Sequence, residues 1–217
     1  MSQGPEQVRA FYDAVAPEYA EQFAGELADK PLDRALLERF AAEVRGAGPV
    51  YDLGCGSGGQ TTAFLHALGV DVRGMDLSPR CVAEARRRHP EIAFETGDML
   101  ALPLVNGSAA GIVAFYAIVH FSPQQLRTAL GEMHRVSRPG APLLMAFHVG
   151  DDVVHVDEMF GHRASVDFRF HRVEDVEAAL HGAGFEQVEP IVRDPYPFVE
   201  HPTRRAYVFA RRPANPA

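Results

Sequence analysis

The chain predicts an α/β fold, a doubly wound and mostly parallel sheet, and three observations carry that reading. Short apolar runs alternate with helix-compatible segments through the middle of the chain. Glycines crowd the end of the first run, in Val50-Tyr51-Asp52-Leu53-Gly54-Cys55-Gly56-Ser57-Gly58-Gly59. The run Gly111–Val119 is apolar nearly throughout, as expected of a central parallel strand covered on both faces. Parallel strands need crossover helices, and right-handed crossovers bring the strand C-termini to one edge, where ligands bind.

Residues 5–45 read as amphipathic and helical, with Val8, Phe11, Tyr12, Val15 and Tyr19 at three- and four-residue spacing and Pro17 as an interruption. Leu32, Ala35, Leu36, Phe40 and Val44 form a second stripe, broken by Gly46, Gly48 and Pro49. Strands follow at Val50–Leu53 and Val70–Leu77. Ser78-Pro79 then supplies an N-cap and a first-turn proline for a helix over Arg80–His89. A third strand over Ile92–Thr96 ends at Gly97-Asp98-Met99, and Gly111–Val119 is the fourth. Ser122-Pro123 repeats the cap for a helix over Gln124–Val136, and Leu143–Phe147 is the fifth strand. Residues 149–166 lose the rhythm and read as an inserted loop or lid with some helix. A helix over Val173–Ala183 and strands near Phe185–Val192 and Ala206–Ala210 close the pattern.

With 217 residues, 47% of them hydrophobic, the chain suits one buried core and one domain over 1–217. A formal charge of −8 argues against nucleic acid as partner. Two cysteines allow no disulfide framework and fit a reducing compartment. No apolar run has spanning length and no leader is visible, so a soluble cytoplasmic protein without a membrane role is expected.

The glycine loop has a physical use of its own. Without Cβ atoms it takes positive φ and lets a ligand lie against bare main chain. Asp76, at the end of the second strand, suits a ribose hydroxyl pair. No Lys or Arg stands in the loop, so a cofactor lacking pyrophosphate fits, and Asp52 offers a carboxylate to a zwitterionic amino acid.

The motifs YDLGCGSG, GMDLSP, TGDML, IVAFYAIVHF and RPGAPLLM occur in an order and spacing that resemble the class I S-adenosylmethionine-dependent methyltransferases. The resemblance runs from about Tyr12 to Arg211 and is strongest between Tyr51 and Phe147. It implies a Rossmann-like seven-stranded sheet with an antiparallel C-terminal strand. It also divides the chain into N-terminal lid helices (1–48), a cofactor-binding core (49–148), a substrate cover (149–172) and a C-terminal helix with strands (173–212). It implies S-adenosyl-L-methionine as cofactor, with Gly54, Gly56 and Gly58 beside its methionine part, Asp52 at its amino group and Asp76 on the ribose. Leu77, Asp98 and Met99 would hold the adenine, and Tyr116 and Ala117 would lie near the transferred methyl. Tyr12 and Tyr19 would close over the amino-acid end. Cys55 is counted with this loop, its thiol reading as a small packing group.

Methyl transfer to a small molecule needs alignment and exclusion of water, and a base where the acceptor sheds a proton. His120 and His148, at the ends of the fourth and fifth strands, are the catalytic candidates, with His120 first. His155, Met159, Phe160 and His162 are the candidate acceptor-binding residues, with Phe168 and Phe170 beneath them. Arg163 and Arg169 offer an alternative for an acidic substrate, whereas His201, Arg204 and Arg205 read as a turn. The seven-residue spacing of His148, His155 and His162 among acids reads as a solvated segment, and no metal is assigned. Two alternatives stand beside methyl transfer. One is a nicotinamide-dependent oxidoreductase, against which stand Asp98-Met99 and the lack of a Tyr-x-x-x-Lys pair. The other is a cofactor-holding subunit without transfer activity. The acceptor atom and the oligomeric state stay open.

Overall fold

The structure is a computed structural model, and it describes residues 3–214. Seven strands form one sheet in the order β3-β2-β1-β4-β5-β9-β8. They are β1 (Val50–Leu53), β2 (Val72–Asp76), β3 (Phe94–Thr96), β4 (Gly111–Phe115), β5 (Pro142–His148), β8 (Glu186–Arg193) and β9 (Arg205–Arg211). Pairings from β3 through β5 are parallel, while β9 runs antiparallel to both β5 and β8. The chain winds outward from β1 to β3, then returns to place β4 on the other side of β1. The gap beyond the ends of β1 and β4 is therefore the topological switch point, where such sheets bind ligands.

Helices cover both faces. On one side α5 (Pro123–Val136) and α6 (Val173–Gly182) bury Leu126, Leu130, Met133, Val176 and Leu180 against Ile112, Leu143 and Met145. On the other, α2 (Pro31–Val44) sets Leu37, Phe40 and Val44 against Val50, Val113 and Leu144, with Leu65 of α3 (Gln60–Ala67). Both sequence caps form. The Ser78 hydroxyl accepts from the Cys81 amide at 3.0 Å to start α4 (Pro79–Arg88), and Ser122 with Gln125 builds a reciprocal capping box at α5.

Three expectations are corrected. Pro17 lies inside α1 (Pro5–Gln22) and does not end it. Tertiary contacts hold the helix through the proline: Phe11 and Val15 are buried against Val166, and the Asp13 carboxylate accepts from the Ser78 hydroxyl at 2.6 Å. The fourth strand stops at Phe115, because Tyr116 takes φ 56° and turns the chain out of the sheet. Residues 149–166 contain no helix. Strand β6 (Val153–Met159) pairs antiparallel with β7 (His162–Arg169), and Phe160 and Gly161 form the two-residue turn with φ 53° and 80°. One face of this hairpin packs on α1, so only half of its residues are apolar.

Candidate active site

A cavity of about 560 Å³ opens at the switch point, between the sheet edge, α1 and the β6–β7 hairpin. Its lining includes every residue assigned to the cofactor by sequence: Tyr12, Tyr19, Asp52, Gly54, Cys55, Gly56, Gly58, Asp76, Leu77, Asp98, Met99, Tyr116 and Ala117. His120, His148, Met159, Phe168 and Phe170 line the same space.

The glycine loop works by making room. A Cβ on Gly54 would stand 2.5 Å from the Ala117 Cβ, so this glycine lets the end of β1 touch the chain leaving β4. A Cβ on Gly56, at φ 64°, would meet nothing within 4 Å and would project into open space. Three amides of the bare main chain are already engaged within the protein. The Gly54 and Cys55 amides donate to the Met75 carbonyl at 2.7 and 3.1 Å, and the Gly56 amide donates to Asp76 Oδ2 at 2.9 Å. These three amides hold the start of the turn closed, and Gly56 presents bare Cα surface to the cavity.

Two carboxylates flank the loop. Asp76 accepts from the Gly56 and Ser78 amides, each at 2.9 Å, and burial raises its pKa above the usual carboxylate range despite those bonds. Asp52 accepts from the Thr62 hydroxyl at 2.6 Å. Burial pushes Asp52 up to about 7, with the Thr62 hydrogen bond opposing and Asp76 adding to the rise.

His120 is 7% exposed and is tied at both ring nitrogens. Nδ1 lies 2.9 Å from the Asp167 carbonyl and 3.0 Å from Gln3 Nε2; Nε2 lies 2.9 Å from the Tyr12 hydroxyl. The Asp167 carbonyl suits a proton on Nδ1, with Nε2 then accepting from Tyr12, whereas the Gln3 amide nitrogen, a donor only, suits the other tautomer. Burial lowers His120 to about 4, and the ring is neutral at physiological pH. His148 stacks on Phe170 at 5.5 Å between ring centres, and its Nδ1 meets the Thr203 hydroxyl at 2.8 Å. Burial, then Arg205, His201 and Lys30, depress it to about 3.

Three of the four residues expected to bind the acceptor stand elsewhere. Strand alternation sends Val154 and Val156 to the cavity and His155 outward, where it pairs with Asp167 at 2.7 Å and Asp157 at 3.2 Å. His162 faces Glu18 at 3.3 Å on the outside, and Phe160 occupies the hairpin turn, 38% exposed, with its ring 6.3 Å from Tyr19. Met159 does line the cavity, after a register shift between Val156 and Glu158. Arg163 and Arg169 are absent from the lining, whereas Arg205 and His201, read as turn residues, are part of it. Lys30, Asp33 and Glu200 also line it, and no sequence motif marked them.

Fold and site together define a Rossmann-like nucleoside-cofactor domain, with its ligand edge roofed by an N-terminal helix and a hairpin. Residues 50–140 match the family model described as a methyltransferase domain. Over these residues the chain is similar to methyltransferase domains, in line with the motifs between Tyr51 and Phe147. A demethylmenaquinone methyltransferase of Beutenbergia cavernae is 35% identical over 149 residues, a match covering 67% of this chain and 60% of that protein. The match thus leaves much of that relative's length uncovered. The structure of the DhpI–SAH complex superposes with TM-score 0.74 at 20% identity, covering 97% of this chain and 98% of the other. The cyclase SpnF superposes with TM-score 0.70, also at 20% identity, over 99% of this chain and 98% of its own. These likenesses establish the fold, and a cyclase on the same fold shows that activity has to be argued from the site. Among the described residues no helix is long and apolar enough to cross a membrane.

Proposed function

We propose that the protein transfers a methyl group from S-adenosylmethionine to a small-molecule acceptor. One observation carries the reading: a single cavity joins the glycine loop and Asp76 to His120 and His148. The residues fit the cofactor. Open space above Gly56 admits a ligand where any side chain would block it, and the Asp76 carboxylate stands at its edge to receive a ribose diol. Asp52 and Tyr19 hold the amino-acid end, Leu77, Asp98 and Met99 the adenine, and Tyr116 and Ala117 border the reacting centre.

When bound, the cofactor supplies a methyl carbon activated by its sulfonium. The chain's own task is to align the acceptor and keep water out, an effect that reaches several kcal/mol. Tyr12, Val156, Met159 and Phe168 provide the apolar roof. With Nδ1 protonated, His120 Nε2 takes the Tyr12 proton while the Tyr12 hydroxyl takes the acceptor's, so His120 receives the proton through Tyr12. A base with so low a pKa suits a proton lost late, once the acceptor atom has become strongly acidic through methylation. The two free cysteines, Cys55 and Cys81, fit a cytoplasmic location.

Calorimetry with S-adenosylhomocysteine and with NAD tests this reading. Heat with the first and none with the second is expected; the reverse would favour an oxidoreductase. Release of labelled methyl to an acceptor then separates an enzyme from a cofactor-holding subunit.

A further inference from the structure

Beyond the cofactor end, the cavity runs onto an uncommon wall. Lys30, Asp33, Arg193, Glu200 and Arg205 form a buried charged cluster around Tyr116 and Tyr207. Its two inner carboxylates are both turned to Arg193. That guanidinium takes Glu200 at 2.5 and 2.9 Å and Asp33 at 2.9 Å. Lys30 is left with Glu200 at 3.4 Å and the half-exposed Glu26 at 2.6 Å. Arg205 is left with one long contact, 3.7 Å from Glu200.

Arg205 is 2% exposed, and its Nε is buried without a hydrogen-bond partner among the described residues. Its other nitrogens meet only neutral acceptors: Nη1 donates to the Thr203 hydroxyl at 2.5 Å and Nη2 to the His201 carbonyl at 3.1 Å. A buried guanidinium without its own counter-charge costs several kcal/mol unless an anion joins it. Aromatic rings frame the spot. His148 lies 5.5 Å from both Phe170 and Tyr116, stacked on the first and edge-on to the second. Lys30 Nζ sits 4.9 Å and Arg205 Cζ 5.9 Å from the Tyr116 ring centre. The direction in which His148 titrates, depressed by burial and then by Arg205, reports the same positive field.

We propose that the methyl acceptor carries a carboxylate on a flat apolar body, and that Arg205, seconded by Lys30, receives it beside His148, Phe170 and Tyr116. This rests on the methyltransferase reading and adds the class of acceptor to it. The carboxylate supplies the close counter-charge that Glu200, bound tightly to Arg193 and 3.7 Å from Arg205 Nε, leaves incomplete. The rings hold the planar body, and the end remote from the carboxylate is the one offered to the methyl group.

The test is calorimetry on the protein saturated with S-adenosylhomocysteine, whose own carboxylate then occupies its place. The probes are matched pairs, 4-hydroxybenzoate against 4-hydroxybenzamide and 4-hydroxycinnamate against its amide. At least one acid should bind, at least tenfold tighter than its amide. Arg205→Gln should bring that pair within twofold while S-adenosylhomocysteine affinity stays within about threefold, and Arg205→Lys should keep part of the preference. No binding by either acid, an amide as tight as its acid, or a preference intact in Arg205→Gln would each overturn the proposal. The wild-type comparison decides alone if Arg205→Gln does not fold. Should S-adenosylhomocysteine give no heat, the methyltransferase reading fails by itself, and the acid–amide comparison is made on the free protein.

Discussion

The Tyr12 hydroxyl and His120 Nε2 share a hydrogen bond of 2.9 Å, which links the N-terminal helix to the chain beyond β4. The bond places the roof of the cavity and its candidate base in one unit. His120→Ala should lower the turnover number by about 10²-fold or more while leaving S-adenosylhomocysteine affinity nearly unchanged. Full turnover in the variant would reduce His120 to scaffolding. Tyr12→Phe keeps the ring and loses the bond, so it should slow turnover by about tenfold in the same assay.

The pH dependence of turnover follows from the burial of His120. Its folded pKa, near 4, lies below the ordinary 6.5, so the ring stays unprotonated as pH falls from 8 to about 5. Turnover at saturating substrate should show no acid limb from this group in that window. A limb with midpoint near 6.5, absent from His120→Ala, would contradict the assignment.

Two glycines of the loop separate folding from binding. Gly54→Ala drives a Cβ to 2.5 Å from Ala117 at φ 74°, so it should lower Tm by several degrees. Gly56→Ala meets no neighbour and bears only the left-handed penalty, about 1–2 kcal/mol, yet its methyl enters the proposed cofactor space. Its S-adenosylhomocysteine affinity should fall at least tenfold. Equal affinity in Gly56→Ala and wild type would remove the loop from the site.

Asp52 lowers the stability of the fold at neutral pH. Its folded pKa, near 7, is raised from the ordinary 3.8, so the fold favours the protonated acid. Stability from this group is complete below pH 4 and is lost as pH rises toward 7. Asp52→Asn should therefore raise Tm at pH 8 by more than at pH 5, and weaken S-adenosylhomocysteine binding. Thermal melts at the two pH values check the first statement and calorimetry the second.

The sequence already told much of this, because the informative signals were local. Gly54 and Gly56 follow β1 within a few residues, Asp76 is the last residue of β2, and Ser78-Pro79 and Ser122-Pro123 mark helix starts through hydrogen bonds of three-residue span. What escaped depended on partners far along the chain. Pro17 stays helical in a helix held by Val166 at Phe11 and Val15 and by Ser78 at Asp13. The hairpin was hidden because His155, Asp157 and Glu158 are absent from the cavity lining and mask the alternation of Val154, Val156 and Met159. That same alternation sends His155 away from the cavity. Arg205 reaches the pocket through its antiparallel register with His148, and Lys30 and Glu200 meet across most of the chain. No window of sequence contains such a cluster.

A crystal structure with S-adenosylhomocysteine tests the central claim most directly. The account predicts the ribose hydroxyls on the Asp76 carboxylate, the amino-acid tail over Gly54 and Gly56 beside Asp52, and the sulfur facing the space between Tyr116 and His120. A nucleoside bound away from Asp76, or a sulfur turned from that space, would contradict it.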